Sequence, residues 1–195
     1  MSEKKQDITE DLIYSKEVIE FITIANEFCL LAEGLNTMTR EEFIKNTYKI
    51  LTLLQIKALT LPKPESIEEA QTESFVNEAD WHFIDNGIST KLGSLEIFSD
   101  LREPIDPLTS IEISISECMA DTYQDLKDFT QIYQFGNIEA ITQGLWECKT
   151  NFEQVWGPRI MIVIREFHLL IYGDKDLSDQ NIEPNPNKNS LLNDN

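Results

Sequence analysis

The sequence predicts an all-α fold, a single-domain bundle of about five or six helices whose last two long helices form an antiparallel hairpin. Three observations predict it. Apolar residues recur at spacings of three and four through successive windows of the chain. Helix start signals, a capping residue with an acid three positions on, precede several of those windows. The chain has 195 residues, 41% of them hydrophobic, which is enough to fill one sizeable core and fits one domain.

In residues 16–33, Val18, Ile22, Ala25 and Cys29 form one apolar line and Phe21, Ile24, Phe28 and Leu31 another, with Glu20, Thr23 and Glu27 opposite. The two lines make one broad buried face, and Gly34 is a plausible stop. Thr39 and Glu42 spell a capping box. The helix they open carries Phe43, Thr47, Ile50, Leu51, Leu54 and Ala58 at helical spacing, until Pro62 and Pro64 end it for want of an amide donor. Residues 61–74 read as an acidic connection. Asn77 caps a third helix, with Glu78 and Asp80 in its first turn and Trp81, Ile84 and Ile88 on its apolar side.

Residues 93–101 suggest a short helical turn, after which Pro104 and Pro107 impose an extended crossing. Residues 111–115 alternate like a strand, but a lone strand leaves its backbone unpaired, so extended coil is the expectation. Ser114 and Glu117 form a second capping box, and the helix it opens keeps Met119, Tyr123, Leu126, Phe129 and Tyr133 inward until Gly136. Asn137 caps the next helix, with Ile141, Leu145, Cys148, Phe152 and Val155 on one face. The short loop at Gly136 makes the two an antiparallel pair. Pro158 should kink or restart the chain before it runs on to Tyr172 as a core helix. The expected organisation is a flexible N-terminus at 1–14, a helical domain at 15–172 and a disordered tail at 173–195, where polar residues dominate.

The formal charge is −19, from 35 acidic and 16 basic residues. Residues 61–117 alone carry 13 carboxylates against Lys63, Lys91 and Arg102. Such a field repels phosphate backbones and anionic lipid, so neither nucleic acid nor a membrane is an expected partner. A basic protein partner suits it. Cys29, Cys118 and Cys148 are odd in number and widely spaced, which points to reduced thiols and not to a disulfide framework. The N-terminal residues lack the apolar core of a secretory signal, and a cytoplasmic location is the expectation. The apolar stretch 160–172 is interrupted by Arg165, Glu166 and His168 and is too short for a bilayer core of roughly 30 Å.

No phosphate-cradling glycine loop, zinc-binding H-E-x-x-H helix or G-x-S-x-G elbow occurs. His82 and His168 are the two histidines; His168, in the most apolar segment, reads as a satisfied core histidine, and His82 as half exposed. One constellation stands out. Glu117, Asp121, Asp125 and Asp128 are spaced four, four and three, on one helical face. Like charges so placed repel unless neutralised. A Mg²⁺ or Mn²⁺ ion is one way to neutralise them, with Glu147 or Glu153 added from the next helix; a solvated surface is the plainer reading. A second group, Trp146, Trp156, Arg159 and Arg165, has the residue types of binding hot spots. Its arginines are equally suited to bidentate pairing with Asp121 or Asp125, which would hold the hairpin together.

These last helices carry a resemblance. Ser116-Glu117, Ala120-Asp121, Tyr123, Asp125-Leu126, Tyr133, Gly136, the run Leu145-Trp146-Glu147-Cys148-Lys149, Asn151-Phe152, Trp156-Gly157, and Arg165 with His168 resemble a bacterial domain-of-unknown-function family, number five thousand and sixty-three. The run from Ala25 to Cys29 and residues 53–62 fit it too, so the likeness spans residues 18–170. Its most specific part is the Ala-Asp-x-Tyr-x-Asp-Leu pattern followed by Trp-Gly, and Pro158 departs from the family pattern. The resemblance implies an all-helical domain, no known activity and no catalytic residue.

The leading expectation is therefore a non-enzymatic module without a cofactor, which binds another protein through its acidic middle or the groove beside the helices around Gly136. The alternative is a divalent-metal enzyme acting on a phosphorylated small molecule, with Glu117, Asp121 and Asp125 as ligands.

Overall fold

Local signals set the first helices. The chain begins its described course with a helical turn at residues 10–13, then α1 (Lys16–Glu33) and α2 (Arg40–Thr60). At Thr39 both halves of the capping box form: its hydroxyl accepts from the Glu42 N–H, and the Glu42 carboxylate accepts from the Thr39 N–H at 2.9 Å. The C-terminus of α2 is closed from outside, by Lys149 Nζ donating to the Ala58 carbonyl at 2.7 Å. α3 (Glu78–Leu92) starts at Asn77 with a second complete capping box, made with Asp80. The computed structural model describes residues 10–67, 70, 72–101 and 110–179. The expectations for residues 1–9, for the crossing at Pro104 and Pro107, and for the tail from 180 onward lie outside these.

Two sequence expectations change in the middle of the chain. Residues 97–101 are a strand, β1 (Ile97–Leu101), and not part of a helical turn; only Gly93–Leu95 is a 3₁₀ turn. β1 pairs antiparallel with β2 (Ser110–Ser114), in register from Ile97 opposite Ser114 to Leu101 opposite Ser110. The alternation in residues 111–115 thus finds the partner that a lone strand lacks. At Ser114 only the first half of the capping box forms. Its oxygen accepts from the Glu117 N–H, and its hydroxyl proton goes to the buried carboxylate of Glu96 at 2.5 Å.

α4 (Ile115–Phe135) and α5 (Ile138–Asn151) follow, joined through Gly136 and Asn137. They are antiparallel, since Asn151 reaches Asp125 while Gly144 lies against Phe129 and Ile132. A Cβ on Gly144 would sit 3.1 Å from Ile132, so the absence of a side chain permits this close helix approach. The chain does not break at Pro158. Phe152–Trp156 form a π-helical turn in which the Gly157 N–H donates to the Phe152 carbonyl, five residues back, and α6 (Gly157–Tyr172) continues with Pro158 in its first turn. The wider turn accommodates a proline that an α-helical path would set against the Gln154 carbonyl.

The core lies where α1, α4 and the π turn meet. Phe21 is 6.2 Å from Phe129 and 6.3 Å from Trp156, ring centre to ring centre, and all three are buried. Each such side chain contributes about 1.5–3 kcal/mol on burial. Ile13 is part of this core, so order begins earlier than the flexible N-terminus at 1–14 allows. It also extends past 173, because Leu177 is buried and residues 176–178 receive the guanidinium of Arg40, itself 1% exposed, through their carbonyl oxygens. No helix among the described residues is long and apolar enough to cross a membrane.

Candidate functional site

The carboxylate stripe of α4 faces other elements of the protein along most of its length. Asp121 pairs with the guanidinium of Arg159 on α6 and accepts from the Trp81 indole N–H on α3 at 2.9 Å. Asp125 accepts from the Asn151 amide at 2.9 Å. Asp128 takes three donors from one extended segment: the N–H groups of Phe75 and Val76 at 2.7 and 2.9 Å, and the Ser74 hydroxyl at 2.9 Å. Glu117, at the open end, stays exposed.

Residues 66–67 and 72–76 lie against the α4–α5 hairpin and are held by side chains of both helices. Gln143 Oε1 accepts from the Ile67 N–H at 2.7 Å and from the Ser66 hydroxyl at 3.2 Å. Glu147 Oε1 accepts from the Thr72 hydroxyl at 3.2 Å and from the Gln143 amide at 2.9 Å. An extended chain cannot satisfy its own N–H groups, and the helix side chains supply the missing acceptors.

Between this segment and the hairpin lies a cleft of about 220 Å³, with Glu73, Asp125, Asp128, Glu147 and Asn151 on its walls and Phe129, Cys148 and Gly144 beneath. Among the described residues no basic side chain lines it. Burial pushes the Asp125 carboxyl up to about 6; the Asn151 hydrogen bond opposes this, and the neighbouring Asp128 charge adds to it. Burial likewise drives the Cys148 thiol well above the usual range, which keeps it a protonated and unreactive lining group. All three cysteines are free and buried.

The remaining sequence candidates are scattered. Trp156 is fully buried, its indole N–H without a hydrogen-bond partner among the described residues, so it is closed to a partner protein. Trp146 is half-buried on α5. Arg165 does not reach the stripe; it pairs with Glu166 at 2.9 Å and lies over the Phe98 ring, 5.9 Å from its centre. His168 is not a core histidine. Ile160, Val163 and Phe167 take the buried side of α6, which turns His168 outward to the Tyr48 hydroxyl, 3.0 Å from its Nδ1, and to the ring of Tyr172. His82 is exposed beside Glu78, 3.7 Å away. Among the described residues no three His, Cys, Asp or Glu come together as a metal-holding group.

Sequence reasoning passed over Gln143 and Asn151. Their signal was present, because Gln143, Glu147 and Asn151 recur at a spacing of four and so share one face of α5.

A family model described as "Domain of unknown function (DUF5063)" matches residues 12–173. The chain is also similar to protein BF1032 from Bacteroides fragilis, known from a crystal structure: the two are 35% identical with a TM-score of 0.76, over 84% of this chain and 98% of that one. No curated protein matches the chain.

Proposed function

This chain belongs to the DUF5063 family, a domain of unknown function, and we propose that it is a non-enzymatic protein-interaction module which seats a basic side chain of a partner protein in the cleft between α4, α5 and segment 72–76. One observation carries the reading: among the described residues, four acidic side chains and no basic one line a cavity of about 220 Å³. That volume is below the roughly 300–1,000 Å³ of ordinary small-molecule sites, and it suits a single inserted side chain better than a whole metabolite. A lysine fits the chemistry. Its ammonium has three donors for Asp125, Glu147 and Glu73, and its methylene stem would lie along Phe129. The net charge of −19 would speed the encounter with a basic partner and make it salt-dependent.

The test is fluorescence anisotropy with a labelled hexalysine peptide and its fully acetylated counterpart. The lysine peptide should bind the full chain, and Glu73→Gln and Glu147→Gln together should weaken it by about tenfold. Equal binding of the acetylated peptide, or indifference to both substitutions, sinks the reading.

The metal-dependent enzyme reading draws on the same stripe, and Asp121 would have to leave Arg159 to act as a ligand. Melting with and without millimolar Mg²⁺ or Mn²⁺ tests it, because an ion bound only by the native state raises the midpoint. A rise that Asp121→Asn and Asp125→Asn abolish would favour that reading over ours.

A further inference from the structure

The four carboxylates of the cleft are not equivalent. Asp128 accepts from the Ser74 hydroxyl and from the N–H groups of Phe75 and Val76. Glu147 accepts from Thr72 and Gln143, and Glu73 is exposed to water. Asp125 is half-buried and has one donor, the neutral amide of Asn151, at 2.9 Å on Oδ1. Among the described residues none of the four is in an ion pair. The charge of Asp125 is therefore the least compensated in the cleft.

Its surroundings make that charge costly, because burial removes water and the neighbouring charges have the same sign. Asp121 and Asp128 lie about one turn away on α4, Glu147 comes from α5 and Glu73 from segment 72–76. Cys148, on the floor, keeps its proton. α6 brings Arg159 and α3 brings the Trp81 indole, but Asp121 takes both. The Asp125 carboxyl is accordingly pushed up by burial, pulled back by the Asn151 amide and raised again by the Asp128 charge, to about 6.

We infer that Asp125 is the gate of this cleft: with its proton it closes the site to a basic side chain, and a lysine enters by displacing that proton to solvent. The inference rests on the reading of the cleft as a lysine seat, and adds its regulation. The seat is then empty in mild acid and filled near neutrality. A ligand that binds the ionised form alone binds about tenfold more weakly one pH unit below the carboxyl's titration point. By the same linkage, a bound lysine lowers that titration point. Asn151 is the positioning residue, since its amide favours the ionised carboxyl and so sets the pH at which the gate opens.

The test uses the full chain and labelled hexalysine, by anisotropy at pH 5 and pH 7.5 and constant ionic strength. The parent should bind about tenfold more weakly at pH 5. Asp125→Asn should weaken binding at pH 7.5 and reduce the pH effect to less than about twofold. Histidines titrate in the same window, and this variant keeps both, so the comparison isolates Asp125. Asn151→Ala should move the midpoint of the binding profile to higher pH, which a purely structural role would not do. Carbon NMR reads the gate without peptide, as an Asp125 carboxyl that titrates near 6 in the free chain and lower with hexalysine bound. Circular dichroism would verify that each variant folds. A free-chain carboxyl that titrates near the ordinary 4 overturns the inference, as does an equal pH effect in the parent and Asp125→Asn. Hexalysine bound equally well at both pH values overturns the gate and leaves the lysine seat standing, whereas no binding at either pH removes both.

Discussion

α2 and α4 are helices of the same length, 21 residues, with opposite charge balance: Arg40, Lys45, Lys49 and Lys57 against two acids on one, Glu117, Asp121, Asp125 and Asp128 against Lys127 on the other. Their charges are used differently. Three α4 carboxylates accept hydrogen bonds or an ion pair from α3, α5, α6 and segment 74–76. On α2, Lys45 pairs within its own helix, with Glu41, and Lys49 has no ion pair among the described residues. A charged stripe that reads in sequence as a solvated face is therefore internal scaffolding on α4 and, at Lys45 and Lys49, open surface on α2. What separates them is which donors the rest of the chain brings within reach.

That contrast breaks hardest at Arg40, one of two α2 charges that hold another element; the second, Lys57, pairs with Glu20 of α1 at 2.7 Å. Shortening the chain after Gly173 removes the carbonyls of Asp176, Leu177 and Ser178 from its guanidinium. The Leu92 carbonyl remains to it, and a buried charge that loses most of its acceptors costs about 3 kcal/mol, visible as a lower urea midpoint. Arg40→Met in the shortened chain should recover part of the loss, since it removes the charge as well. Next comes Asp128→Ala, which leaves the N–H groups of Phe75 and Val76 without their acceptor. A loss of about 2 kcal/mol is expected, with faster hydrogen exchange at those two amides before any global effect.

Asp125 sharpens the comparison through pH. Its folded-state value near 6 lies above the ordinary carboxylate range, so the folded chain binds its proton more tightly than the unfolded chain does. Its contribution to stability is present in full below about pH 4 and is lost as pH rises through 6. Asp125→Asn removes this dependence, and the variant should gain on the parent by about 1 kcal/mol between pH 5 and pH 7.5. A constant difference between the two melting curves across that window would contradict the burial of this carboxyl. The smallest effect belongs to α2: Lys49→Glu should change stability by no more than about 0.5 kcal/mol, because nothing in the fold leans on it.

The helices were legible because their signals are local. Thr39 with Glu42 and Asn77 with Asp80 fix starts within four residues, and the apolar spacing in α1 and α4 needs no knowledge of the partner. What was missed depends on residues far apart in the chain. The strand β2 cannot be assigned from the alternation in 111–115 while 97–101, which lacks the alternation, reads as helical. Leu177 sits in a polar stretch, and its burial depends on Arg40, 137 residues earlier. In the candidate cleft, Asp125, Asp128 and Glu147 were picked out by charge and spacing. Their neighbours Gln143 and Asn151 were not, because a neutral amide becomes conspicuous only once an extended segment or a carboxylate is placed against it.

The π turn before α6 has a consequence for chain length. Removing one residue between Asn151 and Gly157 would restore an ordinary helical path and keep the register beyond it, since a π turn absorbs one extra residue. It would also set Pro158 against the carbonyl four residues before it, at a cost of about 3 kcal/mol. Relatives that keep a proline at this position are thus expected to keep the extra residue as well. An alignment of the family would check this, and a designed single-residue deletion at Gln154 should lower the melting midpoint of the parent but much less that of a Pro158→Ala variant.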